Sequence, residues 1–234
     1  VKEIMSKLKN ENLEQDLLIE YSSRLLHFYN THKTAVLSAA FGLVVVIGLV
    51  VGYFFYMTNQ QEEAQRLLSI AESELLQNNY EEALNGSEED LTLGFIQIAD
   101  NYGGTDAGNL AHYYAAVSEF ELGNFEQAES YIREYDLPEG ILGVPPIALH
   151  ANILMELERF EEAAEKYNQA AEWNQNDSTT PLNLFKAAEA YIEAGNSEQA
   201  LEFLNRIVDE YEESRQYATA VKLRNMLDGS TTGA

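Results

Sequence analysis

The chain has 234 residues, no cysteine and a formal net charge of −25. Its acidic groups are interleaved with apolar residues at helical spacing instead of running in blocks, which excludes a disordered polyacid. No basic cluster stands out in the acidic part, so nucleic acid is excluded as a partner.

Residues 1–34 form a short head. Leu13, Leu17, Leu18, Tyr21, Leu25 and Phe28 recur at helical spacing, with Glu14, Asp16, Glu20 and Arg24 between them. Such a stripe suits packing on a cytoplasmic partner or lying along the inner leaflet of a membrane. The balanced charge of the head favours the protein over anionic lipid. Val1 is an unusual start, and Met5 in IMSKLKN reads as a natural initiator.

Residues 35–57, AVLSAAFGLVVVIGLVVGYFFYM, hold no charge. As a helix this run covers about 34 Å, against about 30 Å of bilayer hydrocarbon. A cleavable signal would have a shorter apolar core nearer the start. Tyr53, Phe54, Phe55 and Tyr56 suit an aromatic belt at one interface. Lys33 and Arg24 flank one end and only Arg66 the other, which places the N-terminus in the cytoplasm and the C-terminal part in the periplasm. Ser38, Gly42, Gly48 and Gly52 fall on one arc of this helix. They form a small-residue face for a partner helix, although glycine is common in membrane helices without such a role.

Charge divides at the same place. Lys2, Lys7, Lys9, Arg24 and Lys33 balance Glu3, Glu11, Glu14, Asp16 and Glu20 in residues 1–57, so all of the net charge lies beyond Met57. That acidic part contains a repeat. GNFEQA (123–128), ERFEEA (158–163) and GNSEQA (195–200) align without gaps, and NNYEEA (78–83) shares their aromatic and alanine. The alanines Ala83, Ala128, Ala163 and Ala200 are spaced by 45, 35 and 37 residues, the last two close to the tetratricopeptide period. Ala116, Ala151 and Ala188 lie twelve residues before their turn alanines, where a first helix needs a small residue. The expected fold is all-α: one transmembrane helix, then a solenoid of about four helix–turn–helix repeats over 58–230, with 231–234 a flexible tail.

In the long first interval, Asn85-Gly86-Ser87 interrupts and DLTLGFIQIADNYGG reads as a displaced second helix. Thr105 or Asp106 caps the helix that follows. Pro138, Gly140, Gly143 and Pro145-Pro146 forbid continuous helix over 137–146. SRQYATAVKLRNML (214–227) reads as a closing helix.

A short head, one anchor and a tetratricopeptide region resemble the YfgM family of ancillary Sec-translocon subunits. LNG…LGFIQIADNYGGTDAGNLAHYYAAVSEFELGNFEQA (84–128) and STTPLNLFKAAEAYIEAGN (178–196) are similar to anchored tetratricopeptide proteins of Bacteroidetes-type bacteria. The resemblance implies a periplasmic domain in the inner membrane. It also implies partnership with Sec translocon subunits and a periplasmic chaperone or PpiD-like prolyl isomerase. A scaffold for cell-wall synthesis or outer-membrane biogenesis is the alternative. Neither reading involves a cofactor, a metal or a small-molecule substrate.

Counting from the turn alanines, a groove is expected from Tyr113, Val117, Phe120 and Glu121, then Ala148, Asn152, Met155 and Glu156, then Phe185, Glu189, Ile192 and Glu193. These positions hold no lysine or arginine, which favours apolar or basic extended segments. The same aromatic residues also suit ordinary packing, and the closing helix is long enough to occupy part of the groove. His27, His32, His112 and His150 show no metal-ligand spacing, and no nucleophile or phosphate-loop motif is present. A non-catalytic protein is expected.

Overall fold

The computed structural model describes residues 21–87, 89 and 91–231. Leu13, Leu17 and Leu18 of the head, both candidate starts, and 232–234 of the tail lie outside the described residues. Two compact units are present, Val1–Thr58 and Asn59–Ala234.

In the first unit residues 21–31 are helical (α1), and α2 (Lys33–Leu76) begins after His32. Almost every side chain of the 35–57 run is exposed, Phe41, Leu49 and Phe55 among them. A helix satisfies its backbone internally, so this run tolerates an apolar surround. It is long and apolar enough to cross a membrane. A Cβ added at Gly42, Gly48 or Gly52 would meet nothing within 4 Å, so packing within the chain does not require these glycines.

α2 continues past its apolar run into the second unit. There Ala64, Leu67, Leu68 and Ala71 are buried, an i, i+3, i+4, i+7 stripe. Ala71 lies twelve residues before Ala83, so the end of α2 is the first helix of the first pair. Its partner α3 (Tyr80–Asn85) is short. The chain then makes a small antiparallel hairpin, β1 (Gly86–Ser87) with β2 (Thr92–Leu93), Gly86 opposite Leu93. α4 (Phe95–Tyr102) follows. The hairpin and α4 occupy the extra length of the 45-residue interval, and α4 is the displaced helix that the sequence led us to expect.

Three regular pairs come next: α5 (Asp106–Glu121) with α6 (Phe125–Glu134), α7 (Val144–Glu156) with α8 (Phe160–Trp173), and α9 (Thr180–Glu193) with α10 (Ser197–Glu210). Thr105 caps α5, its hydroxyl accepting from the Gly108 N–H at 3.0 Å. Between α6 and α7 the chain is irregular until a 3₁₀ turn at Gly140–Gly143. Pro145 and Pro146 sit inside α7, in its first turn, where a missing N–H removes no helical bond. α11 (Tyr217–Thr231) packs on α10 by Ala220, Leu223 and Leu227 over Leu204 and Ile207. It closes the end of the stack.

Alanine holds the pairs together. Ala83, Ala128, Ala163 and Ala200, with Ala116, Ala151 and Ala188 opposite, are all at 0 % exposure. A methyl group lets two helix backbones approach where any longer side chain would hold them apart. Pairs stack because none can bury its apolar stripe alone.

The turns share one backbone solution. Five residues before each turn alanine stands a residue with positive φ: Asn78 (62°), Gly123 (81°), Glu158 (57°) and Gly195 (77°). At each, the next N–H reaches back to a carbonyl five residues earlier, as Asn124 N–H to Glu119 O at 2.9 Å and Arg159 N–H to Leu154 O at 2.9 Å. Glycine and asparagine adopt this conformation readily, and glutamate does not. Glu158→Gly should therefore stabilise the domain by about 1 kcal/mol. Chemical denaturation would read it as a higher midpoint at constant slope, and an unchanged or lower midpoint would mean that Glu158 is unstrained.

Candidate partner-binding groove

The first helices of the three regular pairs, α5, α7 and α9, carry their residues in the same register from the buried alanines. The expected groove residues divide into two groups. Tyr113, Val117, Phe120, Ala148, Asn152, Met155, Phe185 and Ile192 are half-buried. Phe120 lies 5.6 Å from the Phe125 ring and packs on the cluster of Ala116, Ala128, Ile132 and Ile153. Phe185 and Ile192 pack on Leu184 and Leu204 in the last cluster, and Met155 on Ala151 and Leu154. These apolar groups are part of the core clusters while remaining partly exposed, so truncating Phe120 or Phe185 costs stability whatever else it does. Glu121, Glu156, Glu189 and Glu193 are exposed.

One basic residue joins this face. Asn152 Oδ1 accepts from Lys186 Nζ at 3.0 Å and from the Tyr167 hydroxyl at 2.5 Å. The Lys186 ammonium also stands 5.2 Å from the Tyr167 ring centroid, a cation–π distance. Burial lowers the Lys186 pKa, while Glu189 opposes the shift. Although Glu189 is exposed overall, desolvation of its carboxylate by the groups around it raises its pKa, Lys186 pulls it back, and Glu193 adds to the rise. Burial, with Glu189 and Glu156 adding to it, pushes the Tyr167 hydroxyl well up, so it stays a neutral donor. Lys186 is therefore a paired, half-buried cation on a face that otherwise displays carboxylates. The expectation of a face without lysine is corrected to this extent. Nothing in the sequence marks Lys186, which follows Phe185 directly and lies off the positions counted from Ala200, with Tyr167 on a second helix.

On the second helices a different network ties neighbouring pairs. Glu129 of α6 accepts two hydrogen bonds from Arg159 Nη1, at 2.8 and 2.7 Å, and one from Arg133. Burial alone would raise the Glu129 pKa, but the two guanidiniums outweigh it and the pKa falls. His150 Nε2 lies 3.7 Å from Glu129 Oε1. Burial, assisted by Lys166 and opposed by Glu129, lowers the His150 pKa to about 4. The imidazole is neutral at pH 7, as a packing residue would be.

A depressed histidine pKa means that the unfolded chain binds the proton first. His150 thus contributes stability above about pH 6.5 that is lost as pH falls toward about 4. Glu129 extends the loss to lower pH. The domain should lose stability over this window, and His150→Gln should flatten the profile. Parallel profiles for the two proteins would exclude His150 as the cause.

Among the described residues no cluster of three or more histidine and acidic side chains is placed to hold a metal ion. Together these residues supply apolar surface, four exposed carboxylates and a fixed polar centre, chemistry that an extended chain could contact.

Residues 151–223 match the tetratricopeptide repeat. The matched region runs from α7 into α11, and the α5–α6 pair outside it has the same turn geometry and buried alanines. Tetratricopeptide regions bind proteins and are typically non-catalytic. No curated protein matches the chain.

Proposed function

We propose that this protein is a scaffold anchored in the bacterial inner membrane by α2, with its N-terminus cytoplasmic and its tetratricopeptide domain periplasmic. Its α5, α7 and α9 groove engages partner proteins at the exit of the Sec translocon, recruiting a periplasmic chaperone or a PpiD-like prolyl isomerase, or touching exported polypeptide. The observation that carries this reading is the uncharged, membrane-length run 35–57 of α2, the helix that continues into the first tetratricopeptide-like pair. Lys33 and Arg24 before that apolar run support the orientation. Resemblance in domain order to ancillary translocon subunits supports the choice of partner.

The test is co-purification of the tagged full chain from native membranes in mild detergent, followed by mass spectrometry of the retained proteins. Recovery of Sec-channel subunits with a periplasmic isomerase or chaperone supports the reading. Recovery of wall-synthesis or outer-membrane assembly factors in their place rejects the translocon assignment and keeps the scaffold.

A further inference from the structure

α6 has 10 residues, whereas α8 and α10 have 14 each. The second helix of this pair is therefore about one turn shorter than its equivalents. At Tyr135 the backbone becomes extended (φ −77°, ψ 119°), and the freed chain crosses to α7 as DLPEGILG. Beside this connection the structure has an open notch of about 510 Å³. Leu110 and Tyr113 of α5 form one wall, Tyr135 and Leu142 of the connection another, and Pro145 and Pro146 the floor of α7.

The walls are held in place. Asn109 donates to the Asp136 carbonyl at 3.0 Å and accepts from the Asp136 N–H at 2.8 Å. Farther along, Trp173 Nε1 donates to the Pro138 carbonyl at 3.2 Å. A Cβ at Gly143 would stand 2.1 Å from that Nε1, so only glycine there lets the indole close on the connection. Prolines at 138, 145 and 146 restrict the backbone further. The notch is preformed, and filling it requires little ordering of the protein.

Its lining is of two kinds. Leu142, on the notch wall, is 71 % exposed, so its apolar side chain is available to a ligand in the notch. Asp106 and Asp136, both exposed, line the notch, and among the described residues no lysine or arginine does. An apolar hollow whose charged lining groups are carboxylates complements an apolar side chain that has cations next to it.

We infer that this notch is a specificity pocket of the scaffold, taking one large apolar side chain of an extended partner segment whose neighbouring residues are lysine or arginine. The inference rests on the scaffold reading and adds to it the chemistry of the bound segment. Asp106 and Asp136 engage the basic neighbours, while Tyr113 and Leu142 cover the apolar side chain.

Trp173 is the one tryptophan of the chain and is hydrogen-bonded to the notch wall, so its emission reports on the site. The probe is a short fluorescein-labelled peptide of glycine and serine carrying one phenylalanine between two lysines. It is titrated into the full chain in detergent micelles, with peptide anisotropy and Trp173 emission read together. Saturable binding is expected. Binding should weaken about tenfold when alanine replaces the phenylalanine, and by a similar factor when glutamates replace the lysines. Raising ionic strength from about 0.01 to about 0.15 M should weaken it as well, because screening shortens from about 30 to about 8 Å. Leu142→Gln and Asp136→Asn alter exposed side chains only and should each weaken binding several-fold with the helical signal unchanged.

Absence of saturable binding overturns the inference. Equal affinity for the alanine or glutamate peptide does so too, as does a Leu142→Gln protein that binds like the wild type. Repeating the membrane co-purification with Leu142→Gln separates the two claims. Identical partners with both proteins remove the notch from the scaffold and leave the scaffold standing. Loss of the recovered partners from the variant alone supports the notch. If neither protein retains a partner, the scaffold reading fails, and the inference that rests on it fails too.

Discussion

Leu154→Ala is expected to lower the stability of the helical domain by about 4 kcal/mol, near the upper end for removing a buried leucine. Leu154 is 2 % exposed and belongs to a cluster of Ala151, Ala163, Ala164, Tyr167, Ala187 and Ala190, drawn from α7, α8 and α9. The cost of such a truncation depends on how far the neighbours collapse into the vacated space. Alanine has no rotamer with which to move inward, and the Tyr167 hydroxyl is tied to Asn152. The cavity therefore persists. A loss of about 4 kcal/mol in a domain of this size lowers the midpoint of thermal unfolding by about 8–16 °C. Calorimetry would measure it, and a shift of less than about 3 °C would show that the three helices close over the gap.

Ala163→Leu should be damaging for the opposite reason. Ala163 has 0 % exposure, and its methyl sits where α7 and α8 approach. A leucine there must push the pair apart or force its neighbours off their rotamers, at about 3 kcal/mol. Helix propensity is not the cause, since alanine and leucine are both good helix formers. Ala163→Gly provides the contrast: it leaves the approach open and should cost about 1–2 kcal/mol, from helix propensity and the lost burial of one methyl. Because stacked repeats interact mainly with their neighbours, hydrogen exchange should accelerate in α7, α8 and α9 more than in α4. Uniform acceleration, or leucine milder than glycine, would contradict close approach as the role of this alanine.

Alanine spacing made most of the fold readable. A position that must be small is visible in sequence without reference to its partner, and Ala116–Ala128, Ala151–Ala163 and Ala188–Ala200 all keep one interval. Ala71–Ala83 keeps it too. It was obscured because α2 begins as an apolar run of another character and carries no boundary signal between the two uses. The hairpin at 86–93 was not legible beyond a break at Asn85-Gly86-Ser87, since strands of two residues carry no alternation.

For the expected groove, the turn alanines give positions along α5, α7 and α9 and say nothing of depth. Phe120 and Phe185 are half-buried. Burial depends on what α6 and α10 bring across, which no periodicity within α5 or α9 contains. Lys186 was lost for a similar reason. Its role depends on Asn152 and Tyr167, 34 and 19 positions away, and only the folded chain brings the three together.

The four left-handed turns make each repeat a cassette. Residues 124–158 begin immediately after one such turn residue, Gly123, and end on another, Glu158. A second copy of this segment inserted after Glu158 would meet at both splices a backbone path the protein already follows, so the solenoid could be lengthened without inventing a loop. Far-ultraviolet circular dichroism would register the added helices, and a lengthened chain without that gain would show that the stack depends on more than its joints.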